Sequence, residues 1–198
     1  MAISFNGSSA LNAVRFNNEP LNKVVFNGTT VYNAMESYSF PNASKKMTSN
    51  TSLGFNLSIA NTPASSGSSP WQSFNNDSGD SFSFGYSGAR KDLTITFPPA
   101  LGYVVVTKIT IANSSNITYN NRDAIIYVGN EEDKVTYKTF NTNAETLNLY
   151  PSSAATDFGC NYIAFSFPNT ASGVPTGVGN ITITFDVNSA KLATWLNS

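Results

Sequence analysis

The stretch LTITFPPALGYVVVTKITI, residues 93–111, decides the fold of this chain. Apolar residues alternate with polar ones on both sides of a Pro-Pro pair. Such alternation places the apolar residues on one face of a strand, and the two prolines end a strand. The stretch therefore predicts two half-buried antiparallel strands. The first has Leu93, Ile95 and Phe97 on one face, and the second has Tyr103, Val105, Thr107, Ile109 and Ile111.

The same alternation recurs along most of the chain. It appears at 53–59, 82–86, 163–167 and 181–187, with shorter candidate strands at 124–128, 135–140 and 146–150. Glycine, proline and asparagine occupy the gaps, as turns require. From Tyr38 onward we expect about eight to ten strands at the spacing of a β-sandwich.

Only the carboxy-terminal segment has a helical pattern. Leu192, Trp195 and Leu196 fall at i, i+3 and i+4, and Ser189 is a candidate N-cap. A helix of about two turns is marginal by itself. It must therefore rest either on the sandwich or on a neighbouring subunit.

The composition excludes several functional classes. Charged residues make up 12% of the 198 residues, the formal net charge is -1, and there is no histidine. Scattered lysines and arginines do not form the basic surface that nucleic acid requires. Without histidine, the Ser-His-Asp and Cys-His catalytic arrangements cannot form. The single cysteine, Cys160, cannot form an internal disulfide and is expected in the core.

The first residues show neither a signal-peptide pattern nor an apolar run of membrane-spanning length. We therefore expect a protein made in the cytoplasm, without a signal peptide and without membrane insertion.

The first three dozen residues carry a repeat of about ten residues. Its units contain Phe5-Asn6-Gly7, Phe16-Asn17-Asn18 and Phe26-Asn27-Gly28. Asn-Gly favours the tight turn of a hairpin, and arms this short bury too little apolar surface to be stable alone. The segment is therefore either a meander on the edge of the sandwich or an assembly module. The candidate anchor residues are Phe5, Leu11, Phe16, Leu21, Phe26 and Val31.

Residues 3–32, ISFNGSSALNAVRFNNEPLNKVVFNGTTVY, resemble the amino-terminal segments of bacteriophage virion proteins of the tail, baseplate and head appendages. The second unit departs from the pattern, with Asn17-Asn18 in place of Asn-Gly. The resemblance implies that residues 1–36 form a β-hairpin repeat module for virion attachment and oligomerisation. It also implies other virion proteins as partners, a homo-oligomer, and assembly into the virion in the host cytoplasm.

Residues 50–187 resemble the galactose-binding-like jelly roll of discoidin and carbohydrate-binding modules. The resemblance rests on Trp71, Phe74, Pro98, Lys108, Ile109, Ile111, Gly129, Asn130, Tyr162 and Ile163. It implies that residues 37–198 form an antiparallel jelly-roll β-sandwich, with a short C-terminal helix, that contacts a bacterial surface glycan.

The candidate glycan-binding residues lie in or beside expected loops, where aromatic rings and polar groups can meet sugars. They are Trp71, Tyr86, Arg90, Tyr119 and Arg122. For each aromatic residue the alternative is that it fills the core or a subunit contact.

Two acidic clusters remain. Glu131-Glu132-Asp133 has the pattern of a solvated hairpin tip, although carboxylate pairs can also catalyse glycoside hydrolysis. The segment 75–81 is rich in oxygen ligands, and it is a plain turn, a Ca²⁺ site at Asp77 and Asp80, or a catalytic carboxylate pair. We identify no catalytic residue and no other cofactor.

The sequence thus predicts an all-β, non-enzymatic virion appendage, a tail, baseplate or head fibre component, that docks by its N-terminal repeats and projects a sandwich for adhesion. A stand-alone carbohydrate-binding module and a polysaccharide-degrading enzyme are the alternatives.

Overall fold

Two antiparallel sheets enclose a common core in the computed structural model of this chain. The structure describes residues 14–16, 19–21, 23–26, 29–33, 35–61, 63–85, 90–102, 104–112, 124–129, 134–140, 145–149, 160–167 and 176–198. The strands are β1 (Val14–Phe16), β2 (Glu19–Leu21), β3 (Lys23–Phe26), β4 (Thr29–Asn33), β5 (Met35–Phe40), β6 (Asn56–Ala60), β7 (Phe82–Phe84), β8 (Lys91–Thr96), β9 (Val105–Ile111), β10 (Ala124–Gly129), β11 (Lys134–Phe140), β12 (Glu145–Asn148), β13 (Tyr162–Phe167), β14 (Thr176–Val178) and β15 (Ile181–Asn188). The chain ends in helix α1 (Ser189–Leu196).

One sheet has five strands in the order β11-β10-β13-β8-β6, and the other has four in the order β12-β9-β15-β5. β7 and β14 form a separate antiparallel pair. The all-β antiparallel sandwich with a short C-terminal helix is therefore confirmed. Among the described residues eleven strands follow β4, one above the upper limit of the eight to ten expected. The two that the sequence pattern did not reveal are β5 and the three-residue β14.

The core has the alternation expected of half-buried strands. In β15, Ile181, Ile183, Phe185 and Val187 are buried, and the residues between them are partly exposed. The central strand β13 is buried on both faces. Because the two sheets share these apolar faces, burial of apolar area is the main stabilising contribution.

The prediction that alternate residues from 103 to 111 all lie on one face is wrong for β9. Val104 and Val106 are buried together with Ile109 and Ile111, whereas Val105 and Thr107 are partly exposed. The pairing of β9 with β15 shifts register after Val106, so that Thr107 is an extra residue. Such a β-bulge moves all earlier side chains to the opposite face.

Helix α1 rests on the sandwich. Leu192 and Trp195 are buried, and Trp195 Nε1 donates a hydrogen bond to the carbonyl of Leu53 at 2.9 Å. The N-cap is Asn188 rather than the expected Ser189. The Asn188 side-chain oxygen accepts hydrogen bonds from the backbone N–H groups of Ala190 and Lys191 at 3.1 and 3.2 Å.

The register defines two ends of the sandwich. At one end, the base, Tyr162 pairs with Thr96, and Asn188 pairs with Met35. Val104 and Cys160 form a bridge there that ties the start of β9 to the start of β13. α1 also begins at the base, where Lys191 lies next to Gly102, whose φ of 65° disfavours any residue with a side chain.

At the opposite end, the apex, Phe167 pairs with Lys91 and Ile181 pairs with Ile111. β10 begins there at Ala124, and β6 ends there at Ala60. The polypeptide therefore enters the sandwich at the base, and the ends of many strands converge at the apex.

The backbone before the sandwich forms two hairpins. β1 pairs with β2 and β3 with β4, each with two residues between the closing pair. They coincide with the second and third sequence repeats, and the anchor residues Phe16, Leu21, Phe26 and Val31 lie on these strands. Phe5 and Leu11 lie outside the described residues. The sandwich's first strand begins at Met35, and the expected domain division between residues 36 and 37 stays a prediction.

Candidate functional site

Four polar residues at the apex form a continuous hydrogen-bonded group on the outer face of the five-stranded sheet. The Ser166 hydroxyl accepts a hydrogen bond from Arg90 Nε at 2.6 Å and donates one to Asp92 Oδ1. The other carboxylate oxygen of Asp92 accepts a hydrogen bond from Asn61 Nδ2 at 3.2 Å. We call Asn61, Arg90, Asp92 and Ser166 the apex network.

The strands position the apex network. Ser166 on β13 lies directly opposite Asp92 on β8, and Asp92 lies opposite Ala60 on β6. Arg90 immediately precedes β8, and Asn61 immediately follows β6 with a φ of 71°, a value that asparagine tolerates better than most residues. Two adjacent strands and two strand ends therefore bring these side chains together.

The network orients an arginine beside a carboxylate at the surface. Ser166 is 4% exposed, whereas Arg90 is exposed, so the hydroxyl fixes the inner side of the guanidinium. Arginine has five N–H donors in a rigid plane, and only its inner side is used by Ser166. The remaining donors, with the neighbouring carboxylate and amide oxygens, can bind a ligand that carries adjacent hydroxyl groups.

Lys91, next to Arg90, points to the opposite face and is fully buried. Its burial lowers the pKa of the ammonium group. Lys91 therefore belongs to the interior, and Arg90 is the one of this pair that presents a cation to the outside.

The expected Asn-rich turn also lies at the apex. The side chain of Asn75 accepts hydrogen bonds from the backbone N–H of Asp77 and from Asn180, and it donates one to Asp80. Asp77 Oδ1 accepts the backbone N–H of Gly79 at 2.9 Å. Several oxygens of this turn are thus used by the turn itself.

Among the described residues, no group of three or more His, Cys, Asp or Glu side chains could hold a metal ion. The candidate Ca²⁺ ligands Asp77 and Asp80 are joined by a backbone hydrogen bond from Asp80 N to Asp77 O at 3.1 Å. The calcium site stays a prediction, and the hydrogen bonds favour the plain turn. Glu131, Glu132 and Asp133 lie outside the described residues.

Trp71 does not join the apex network. It lies in the short helical turn Pro70–Phe74 and packs partly against the core. Its backbone N–H donates to Asn50 Oδ1, and the carbonyl of Asn50 accepts from Leu57 N in β6. Trp71 therefore lies beside β6. Its partial packing against the core agrees with the alternative that this residue fills the core rather than a binding site.

Tyr86, Tyr119 and Arg122 lie outside the described residues. The described residues on either side of them are at the apex: Arg90 follows Tyr86, and Ala112 and Ala124 flank the other two. Ala112 N donates to the carbonyl of Asn180 at 2.8 Å. Their participation in a site with Arg90 stays a prediction.

Sequence reasoning identified Arg90 but missed Asn61, Asp92 and Ser166. Ser166 is separated from Asp92 by 74 positions, and each appears in the sequence only as an ordinary polar residue of an alternating strand. Only strand register reveals that they are neighbours. None of the described helices has the length and apolar character that crossing a membrane requires.

No protein-family model and no curated protein matches this sequence. Solved structures with a similar fold were found. The family 32 carbohydrate-binding module of C. perfringens NanJ, in complex with galactose, superposes with a TM-score of 0.50 at 11% identity, covering 66% of this chain and 93% of that module. A further module, CBM32-3 from a family 31 glycoside hydrolase of Clostridium perfringens, has a TM-score of 0.49 at 10% identity, covering 64% of this chain and 89% of its own. At such low identity the likeness to the NanJ module concerns the fold, which agrees with the galactose-binding-like jelly roll expected from the sequence.

Proposed function

We propose that this protein is a non-catalytic adhesion protein that binds a carbohydrate at the apex and is attached at its base to a bacteriophage virion. The observation that carries the proposal is the apex network, a surface arginine and a carboxylate oriented by a buried serine at the end of the sandwich opposite the chain entry.

The chemistry of the network suits a sugar. Adjacent sugar hydroxyl groups need donors and acceptors near one another, and the Ser166 hydroxyl joins the guanidinium of Arg90 to the carboxylate of Asp92 in one hydrogen-bonded group. Binding a ligand there costs little side-chain conformational entropy, because the hydrogen bond to Ser166 already orders Arg90. The NanJ module with this fold was solved in complex with galactose, which supports the same ligand class here.

The contacts of the carboxylate support binding rather than turnover. Both oxygens of Asp92 accept hydrogen bonds from neighbouring side chains, so the group is engaged in positioning. Glycoside hydrolysis needs two carboxyl groups on opposite sides of the scissile bond. We therefore assign Asp92 a role in holding a ligand and in orienting Arg90 through Ser166.

The attachment to a virion is supported by chain geometry and by the resemblance of the first repeats to virion appendage proteins. The hairpins β1–β2 and β3–β4 precede Met35, and Met35 lies at the base. A particle that holds the hairpins leaves the apex facing outward. Residues 1–36 would then be the attachment module, and the protein would reside in the virion after assembly in the host cytoplasm.

Glycan binding is tested on an array of bacterial surface and galactose-containing glycans with the full chain. We expect Arg90→Ala to weaken binding at least about tenfold, since charge-assisted hydrogen bonds contribute about 1.5–3 kcal/mol each. The matched control is Lys108→Ala, which removes an exposed cation from β9 in the other sheet. A blank array for the unaltered protein, or equal loss for both variants, contradicts the apex site.

Attachment is tested by deleting residues 1–33 and scoring incorporation into phage particles. We expect the shortened protein to keep its cooperative unfolding transition and to be absent from purified virions. Its presence on virions would refute the anchor role. Release of reducing ends from surface polysaccharide by the full chain would instead favour the hydrolase alternative.

A further inference from the structure

The two edges of the β1–β2 hairpin differ in their capacity to accept another strand. Val14 pairs with Leu21, Arg15 with Pro20, and Phe16 with Glu19. Antiparallel pairs alternate between hydrogen-bonded and non-hydrogen-bonded positions. Proline has no backbone N–H, so the pair of Arg15 and Pro20 is a non-hydrogen-bonded one.

In a non-hydrogen-bonded pair the backbone groups point away from the partner strand. Arg15 therefore directs both its N–H and its C=O to the outer edge of β1. On the outer edge of β2, Pro20 directs only a C=O outward. Within the described residues the β1 edge offers both a donor and an acceptor to a further strand. The β2 edge lacks a donor at its centre, which is how proteins discourage pairing at an edge.

The second hairpin has no such block. Its closing pair is Phe26 with Thr29, and the next pair is Val25 with Thr30. None of these four residues is proline, so each has a backbone N–H. In the described part of the chain, neither hairpin has a third strand beside it. An isolated two-stranded hairpin is marginal in water, so an added strand would stabilise each of them.

We infer that the β1 edge pairs with a hairpin edge in a second copy of this chain. The inference rests on the proposed assembly role of the hairpins and names their partner. The hairpin unit recurs about every ten residues. A partner that pairs with several of these hairpin units must present strand edges at the same spacing of about ten residues. The same segment in a second copy of the chain has that spacing. Contacts of this kind close into a ring or dimer when the rotation permits, and Pro20 limits growth at the other edge.

The experiment measures the oligomeric state of the full chain by sedimentation velocity over a micromolar concentration range. Arg15→Pro removes the outward N–H of β1 without removing a hydrogen bond inside the hairpin. We expect it to weaken association at least about tenfold, because backbone hydrogen bonds to the neighbour are lost. Arg15→Ala keeps the N–H and removes the side chain, and it should associate like the unaltered protein.

Pro20→Thr is the matched variant on the other edge. Restoring a donor there should leave association intact or produce larger species. A monomeric unaltered protein overturns the inference. So does an Arg15→Pro variant that associates normally, and so does a Pro20→Thr variant that becomes monomeric. The near-ultraviolet circular dichroism of the aromatic residues packed in or against the core, Trp195 and Trp71 among them, verifies in each case that the sandwich is folded.

Failure of the inference and failure of the proposed function give different results. A monomer that binds glycans and enters virions overturns the self-association alone. An oligomer with a blank glycan array overturns the carbohydrate proposal alone. An oligomer whose incorporation does not depend on residues 1–33 overturns only the attachment to the particle.

Discussion

Met35, the first residue of the sandwich, pairs directly with Asn188, whose side chain caps the C-terminal helix. The chain therefore enters and finishes at the same end, the base. Among the described residues, the apex holds the Asn75–Asp80 turn and the apex network. Under the proposed function, this polarity would let the base attach to a particle while the apex meets a ligand.

The observed N-cap of α1 is Asn188, whereas the sequence predicted Ser189. Asn188→Ala should lower the free energy of unfolding by about 1 kcal/mol, because two N–H groups at the start of α1 lose their acceptor. Asn188→Asp keeps an acceptor and should cost less. Ser189→Ala should change stability by less than about 0.5 kcal/mol, as measured by urea unfolding. A larger loss for Ser189→Ala than for Asn188→Ala would show that the cap is misassigned.

Trp195 anchors α1 to an aromatic cluster. Its ring lies 5.6 Å from that of Tyr38 and 5.8 Å from that of Phe55, both near perpendicular. Trp195→Ala should cost about 3–5 kcal/mol through cavity formation. Trp195→Phe should cost less, since it mainly loses the hydrogen bond to Leu53. The neighbouring Leu196, 37% exposed, is the control, and its change to alanine should have little effect on the unfolding midpoint.

Cys160 makes stability depend on pH in the alkaline range. Burial raises the pKa of its thiol from the ordinary 9.0 to about 12, and backbone hydrogen bonds at Tyr162 and Val106 partly oppose that effect. The folded state keeps the proton that the unfolded state releases above pH 9. The thiol's contribution is therefore complete below pH 9 and declines by about 1.4 kcal/mol per pH unit as pH rises toward the folded pKa.

Comparison with Cys160→Ala isolates that contribution, because all other titrating groups are shared. The variant should lose stability at neutral pH, and the difference from the unaltered protein should shrink between pH 9 and 11. A difference that is constant with pH would contradict the raised pKa. The buried thiol should also resist thiol reagents until the protein unfolds.

The Asn75–Asp80 turn should fold without calcium. Asn180 is 7% exposed, and its amide donates to Asn75 Oδ1 and to the carbonyl of Asp77 at 3.2 and 3.1 Å. Asn180→Ala should therefore cost about 1 kcal/mol or more, with the exposed Asn56→Ala as control. The unfolding midpoint should be equal in calcium and in EDTA. A rise with calcium that Asp77→Asn abolishes would establish the metal site instead.

Ser166 should matter for ligand binding through Arg90. Ser166→Ala leaves Asp92 and Arg90 in place but removes the hydroxyl that joins them. We expect weaker glycan binding together with a loss of about 1–3 kcal/mol in stability, whereas Ser166→Thr should retain part of both. Unchanged glycan affinity for Ser166→Ala would show that the serine has a structural role only.

Local patterns were sufficient to predict most of the strands of this protein, although they missed β5 and β14. The alternation in β8 and β15, the i, i+3, i+4 spacing in α1 and the hairpins at the second and third repeats all depend on neighbours in sequence, and the structure contains each of them. The absence of histidine likewise excluded histidine-dependent catalysis before any fold was known.

Tertiary structure decided the rest. The extra residue at Thr107 reversed the face of Val104 and Val106, and nothing in residues 103–111 marks it, because a bulge is set by pairing with β15. The apex network depends on the register of β8 against β13, which joins residues 74 positions apart. Periodicity is a property of adjacent residues, whereas register is chosen by which distant strands bury their apolar faces together, and that choice placed Arg90, Asp92 and Ser166 side by side.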